Sequence, residues 1–172
     1  MKHTLIAFTG LALAGKTTAA SFLENVGYQR LSFAAPLKAM IAVLTRETDK
    51  EARPPELCGK TLREAYQSLG TDWARNMIGQ DIWINVARAR IQEVLASSDI
   101  RGVVVDDVRF DNEAELIRSL GGVVIKVNRP GLSAMAHASE LGVSTHLIDA
   151  ELPAVDNPTA LKEVLASVLA LL

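Results

Sequence analysis

The chain has 172 residues, 18 Lys and Arg against 20 Asp and Glu, and 49% hydrophobic residues, which fits one soluble domain over 1–172 and excludes a second full one. A formal charge of −2 excludes a broad basic surface, so duplex nucleic acid is not an expected partner, although local charge can still hold a small phosphorylated ligand. The lone cysteine, Cys58, excludes an internal disulfide, and no Cys/His spacing suits zinc, so the chain reads as cytoplasmic.

Met1-Lys2-His3, the apolar stretch Leu5 to Leu13 and the triplet Ala12-Leu13-Ala14 have the outline of a secretory signal. Gly10 interrupts that stretch, and the triplet lies inside a pattern, Gly10 to Thr17, with its own physical explanation. No run of apolar residues is long enough for a membrane span. Leu5 to Phe8 reads as a buried strand. Ala19, Phe22, Leu23 and Val26 recur at helical spacing, which predicts a helix from about Lys16 to Asn25 that ends near Gly27. Tyr28 to Phe33 reads as a second strand, and Pro36 opens a helix through Leu37, Met40, Ile41 and Leu44.

Residues 46–60, rich in charge and carrying Pro54-Pro55, predict an exposed, mobile connection. Helices follow over about Thr61 to Leu69 and Asp81 to Ala96, separated by a turn at Gly70-Thr71 and by Gly79. Gly102 to Val105 is a central strand that ends in Asp106-Asp107. A helix over Glu113 to Leu120 leads through Gly121-Gly122 to a strand, Val123 to Val127. Residues 129–146 are polar and aperiodic, as in a segment that closes over a ligand. After Asn157-Pro158, Leu161, Val164, Leu165, Val168 and Leu172 mark a C-terminal helix. Strands alternating with helices predict a three-layer α/β fold around a mostly parallel sheet.

The sharpest chemical signal is Gly10-Leu11-Ala12-Leu13-Ala14-Gly15-Lys16-Thr17, a full G-x-x-x-x-G-K-[ST] phosphate loop between a strand and a helix. The glycines permit the close backbone approach that lets main-chain N–H groups surround phosphate oxygens, and the helix N-terminus adds partial positive charge. Gly10, Ala12, Ala14, Gly15, Lys16, Thr17 and Thr18 therefore form the expected nucleotide cradle. Lys16 reaches the β- and γ-phosphates and the Thr17 hydroxyl ligates Mg²⁺. A chance glycine turn would produce the four fixed positions in roughly one chain of this length in a hundred or fewer. Such a loop needs a carboxylate near the metal, and Asp106 and Asp107 are both candidates.

Several blocks together make the chain resemble the bacteriophage-type deoxynucleoside monophosphate kinases of the P-loop kinase superfamily. They are the phosphate loop, Phe33-Ala34-Ala35-Pro36-Leu37-Lys38, Gln67-Ser68-Leu69-Gly70-Thr71-Asp72 with Arg75, and Asp81-Ile82-Trp83. Asp107-Val108-Arg109-Phe110 with Asn112-Glu113, Arg129-Pro130 and His137-Ala138-Ser139-Glu140 complete the set. The resemblance implies ATP as donor, Mg²⁺ as metal and a deoxynucleoside 5′-monophosphate as acceptor. It aligns Asp107, rather than Asp106, with the strand-end acid, so Thr17 and Asp107 form the expected metal pair. Lys16, Arg109 and Arg129 become the expected catalytic cations, with Arg129 at the lid. Lys38, Gln67, Arg75, Trp83, Arg109, His137 and Glu140 become the expected acceptor contacts within a helical region of about 38–100. Members often carry Asp where this chain has Ala35, a departure that touches acceptor identity more than kinase activity.

Plain alternatives stand beside these roles. Lys38, Arg75, Arg109 and Arg129 could be solvated or form surface ion pairs worth about 0–1 kcal/mol. Trp83, like Trp73 and Tyr66, could pack in a core instead of stacking on a base, and His137 could fix a loop. No general base is required, because a phosphate monoester with a second pKa of about 6 is already a dianion at neutral pH. The competing functions are another small-molecule P-loop kinase, such as one resembling dephospho-coenzyme A kinase, and a nucleotide-binding switch without fast transfer. Base preference, ribose exclusion and homodimer formation stay open.

Overall fold

The computed structural model describes residues 4–129, 131, 142–153, 155 and 157–171. The chain forms two compact units, Met1–Ser32 with Arg88–Leu172, and Phe33–Ala87.

The first unit is built on a five-stranded parallel sheet, β1 (Leu5–Thr9), β2 (Tyr28–Leu31), β3 (Gly102–Val105), β4 (Val123–Val127) and β5 (Ala150–Leu152), in the order β2-β3-β1-β4-β5. All five residues of β1 are buried, as befits a central strand covered on both faces. Its register pairs Ala7 with Val105 on one side and Thr9 with Lys126 on the other. Helix α1 (Lys16–Glu24) turns Ala19, Ala20 and Leu23 onto Ile6, Phe8 and Val104, and Leu161, Leu165 and Leu169 of α6 (Pro158–Leu171) join the same core. Each such Leu, Ile or Phe stabilises the fold by about 1.5–3 kcal/mol through burial. Helix α5 (Asp111–Ser119) covers the other face: a Cβ on Gly122 would fall between Leu5 and Ile117. Three layers result, as the alternating pattern predicts.

In the second unit, α2 (Ala35–Ala42) is followed by a 3₁₀ turn at Pro55–Leu57 and by α3 (Leu62–Gln67). A capping box starts α3: Glu64 N–H donates to Thr61 Oγ1 at 3.1 Å and Thr61 N–H donates to Glu64 Oε2 at 2.7 Å. The connection before it is fastened locally, with Leu62 N–H on Ala52 O at 3.0 Å and an Arg63–Glu51 ion pair at 2.6 Å.

One expectation fails here. Gly70-Thr71 does not break the helix; α3 runs directly into an eleven-residue π-helix, Ser68–Ile78, which ends at Gly79 with Gly79 N–H on Ala74 O at 2.9 Å. The Trp83 indole N–H, on α4 (Ile82–Leu95), donates to Gly70 O at 2.9 Å. A contact distant in sequence thus holds the residue whose local signal reads as a turn. The other difference is β5, three residues added beside β4 that the pattern does not mark.

Candidate active site

The site grows from the end of β1. Gly10 has φ +126°, and a Cβ there would run into the carbonyl oxygen of Val127 at the end of β4, so only glycine fits. The loop then turns through Leu13 at φ +65° and enters α1 at Gly15, φ +104°, leaving the helix N-terminus open to an anion. Lys16 is buried, and its ammonium donates to Gly10 O at 2.7 Å and Leu11 O at 2.6 Å. Arg129, just past β4, reaches back to the loop tip, its Nη1 donating to Leu13 O at 3.1 Å.

β3 carries the acids alongside. Its chain follows β1 past the last ladder pair, with Val108 N–H on Phe8 O at 3.2 Å. Val104 belongs to the core under α1, and strand alternation turns Asp106, two residues on, toward the same face. There the Thr17 hydroxyl donates to Asp106 Oδ2 at 3.2 Å. Asp107 points elsewhere and accepts from Ser32 Oγ at 2.6 Å. The resemblance pairs Thr17 with Asp107 for the metal, whereas the carboxylate that accepts from the Thr17 hydroxyl is Asp106.

These groups lie where the chain after β1 leaves for the α1 face and the chain after β3 leaves for the α5 face. That is the switch point at which parallel sheets bind ligands. The residues suit a nucleotide with Mg²⁺: a glycine loop packed closely on the end of β4, a buried lysine within it, and a hydroxyl beside a buried carboxylate. Mg²⁺ favours such hard oxygen donors and completes its shell with waters and substrate phosphates.

The sequence profile described as "Deoxynucleotide monophosphate kinase" matches residues 58–163. The chain belongs to that family. A relative from Acanthamoeba polyphaga mimivirus, described provisionally as a deoxynucleotide monophosphate kinase, is 34% identical over an alignment of 155 residues that covers 80% of each chain. Among solved structures, TT1252 from Thermus thermophilus matches with a TM-score of 0.56 at 22% identity over 99% of both chains, a likeness of fold. Dephospho-CoA kinase from Campylobacter jejuni matches with a TM-score of 0.49 at 13% identity, over 97% of this chain and 96% of its own.

The family's other expected residues fall in both units. Arg109 follows Val108, and its backbone N–H is held by Glu113 Oε2 at 2.8 Å, with the Phe110 N–H on the same oxygen at 3.3 Å. In the helical unit, Lys38 is exposed on α2, Gln67 is exposed at the end of α3, and Arg75 is buried on the π-helix with Nη1 donating to Gln80 O at 3.4 Å. Trp83 is buried, its indole N–H committed to Gly70, which is the packing alternative rather than an open stacking face. His137 and Glu140 lie outside the described residues.

One residue escapes the sequence reading. Arg30 of β2 pairs in register with Val104, on the α1 side of the sheet, and its guanidinium forms an ion pair with Asp106 Oδ2. The available signal was a charged residue within the predicted strand Tyr28 to Phe33, two positions after Tyr28 and so on the same face as it. The described chain has no helix long and apolar enough to cross a membrane.

Proposed function

We propose that the protein transfers the γ-phosphoryl group of ATP to a deoxynucleoside 5′-monophosphate. The observation that carries this reading is the phosphate loop with Thr17 and Asp106 side by side at the switch point, in a member of the deoxynucleotide monophosphate kinase family. The backbone of Gly10, Ala12, Ala14 and Gly15, together with Lys16, Thr17 and Thr18, cradles the donor phosphates. Thr17 and Asp106, in place of Asp107, hold Mg²⁺. When bound, that ion neutralises charge on the β- and γ-phosphates.

An oxygen of the acceptor phosphate, already a dianion near neutral pH, attacks the γ-phosphorus in line. The new P–O bond forms as the bond to the β–γ bridging oxygen breaks, and that oxygen leaves on ADP with the electron pair. Lys16 abandons the carbonyls of Gly10 and Leu11 for the developing charge, and Arg109 and Arg129 supply further positive charge. Lys38, Gln67 and Arg75 serve the acceptor, Arg75 offering a planar fork for phosphate.

A coupled ADP-release assay tests the proposal. The acceptors are the four common deoxynucleoside monophosphates, their ribose counterparts, modified pyrimidine monophosphates and dephospho-coenzyme A, with Lys16→Ala as control. Turnover on at least one deoxynucleoside monophosphate, lost roughly several hundredfold or more in the variant, is expected. Activity confined to dephospho-coenzyme A, or ATP binding with no acceptor turned over, would replace this reading by one of the alternatives.

A further inference from the structure

Asp106 Oδ2 receives two donors at once, the Thr17 hydroxyl at 3.2 Å and the Arg30 guanidinium. The same guanidinium nitrogen lies 3.5 Å from Thr17 Oγ1, so it borders both atoms that Mg²⁺ needs. Its other terminal nitrogen lies 3.7 Å from Glu24 Oε2, near the end of α1. Arg30 therefore has two acidic neighbours, of which Asp106 is buried and Glu24 is exposed.

We infer that Arg30 is a positioning residue that competes with the divalent ion for Asp106, with Glu24 as its alternative berth. This rests on the assignment of Thr17 and Asp106 to the metal. A cation on the Thr17 oxygen and a guanidinium 3.5 Å from that oxygen repel each other strongly at short range in a partly buried setting. On that assignment the ion would take the Asp106 oxygen that faces Thr17, Oδ2, which the guanidinium already occupies. The arginine keeps Asp106 paired, since a buried carboxylate without a partner is costly, and aims it at Thr17. It yields when nucleotide brings the ion, swinging onto Glu24. The side chain has room to do so, being 31% exposed.

The competition has a signature that simple charge removal lacks. Arg30→Gln should lower the half-saturating Mn²⁺ concentration, and Glu24→Gln, by removing the berth, should raise it. In the double variant the Glu24 effect should vanish, because Glu24 acts only through Arg30. Two charges acting independently through space would instead give additive shifts.

The measurement is Mn²⁺ binding to the protein with a non-hydrolysable ATP analogue, read from the electron paramagnetic resonance of free Mn²⁺, with circular dichroism to confirm each fold. Arg30→Gln should shift half-saturation downward by roughly fivefold or more. An unchanged or raised value, or additivity in the double variant, overturns the inference. If Arg30→Gln does not fold, Arg30→Met takes its place in the cycle with Glu24→Gln: loss of the Glu24 effect in the double variant supports competition, and additive shifts refute it. Asp106→Asn separates the two levels. If wild type binds no Mn²⁺ with the analogue, or Asp106→Asn binds it as wild type does, the metal assignment falls, and the inference with it. If Asp106→Asn weakens binding while Arg30→Gln has no effect, only the inference falls.

Discussion

Replacing Gly10 with alanine should separate two costs that usually arrive together. At φ +126° an L-residue is strained, about 1–3 kcal/mol. The new methyl would also collide with the Val127 carbonyl, a backbone atom that cannot rotate aside, and overpacking of that kind adds about 1–3 kcal/mol. Gly121 supplies the comparison, because it has φ +76° with nothing within 4 Å of its hypothetical Cβ, so Gly121→Ala should carry only the conformational cost of about 1–2 kcal/mol. At about 2–4 °C per kcal/mol for a chain of this size, Gly10→Ala should lower Tm by roughly 4–24 °C and Gly121→Ala by roughly 2–8 °C. The functional difference should be larger still. Relief of the clash must move the loop, and misplacement by about 1 Å can cost about a hundredfold in rate. Thermal melts and ATP-analogue titration on both variants check this. Equal Tm losses, with analogue affinity intact in Gly10→Ala, would refute the close-approach argument.

Trp83→Phe removes the indole donor to Gly70 and should destabilise the protein by about 0.5–1.5 kcal/mol, visible in chemical denaturation; unchanged stability with a raised acceptor KM would instead restore the base-stacking role. Glu64 is held down to about 2, first by the Thr61 backbone N–H, then by the Lys60 and Thr61 side chains. A depressed carboxylate contributes stability that is present above its ordinary value of 4.5 and is lost as pH falls toward 2. The stability gap between wild type and Glu64→Gln should therefore narrow over that interval, and a gap independent of pH would show that the capping box does not depend on the charge.

The central strands and α1 were legible because apolar runs and helical spacing are local, and the phosphate loop because its glycines are required by geometry within eight consecutive residues. Asp106 against Asp107 was not legible in the same way. Alternation gives the two side chains opposite faces, but which face of β3 lies over α1 follows from pairing with β1. Arg30 was hidden for the same reason, since its partner is 76 positions away in sequence. At Gly70 the local signal was strong and pointed to a turn, yet the bond from Trp83 accompanies an unbroken helix. β5 has three residues beside Asp149 and Pro153, too short for a period to register.

The segment Phe33–Ala87 is one unbroken excursion of the chain, leaving after Ser32 and returning within α4. Lys38, Gln67, Arg75 and Trp83 all travel inside it, whereas the phosphate loop, Arg30, Asp106 and Arg129 do not. Under the proposed assignment, a single segment transplant between relatives would thus exchange Lys38, Gln67 and Arg75 together while leaving the phosphate loop, Arg30 and Asp106 unchanged. Its second crossover falls inside a continuous helix, so the graft must preserve helical phase: one residue gained or lost there would rotate the following face by about 100°.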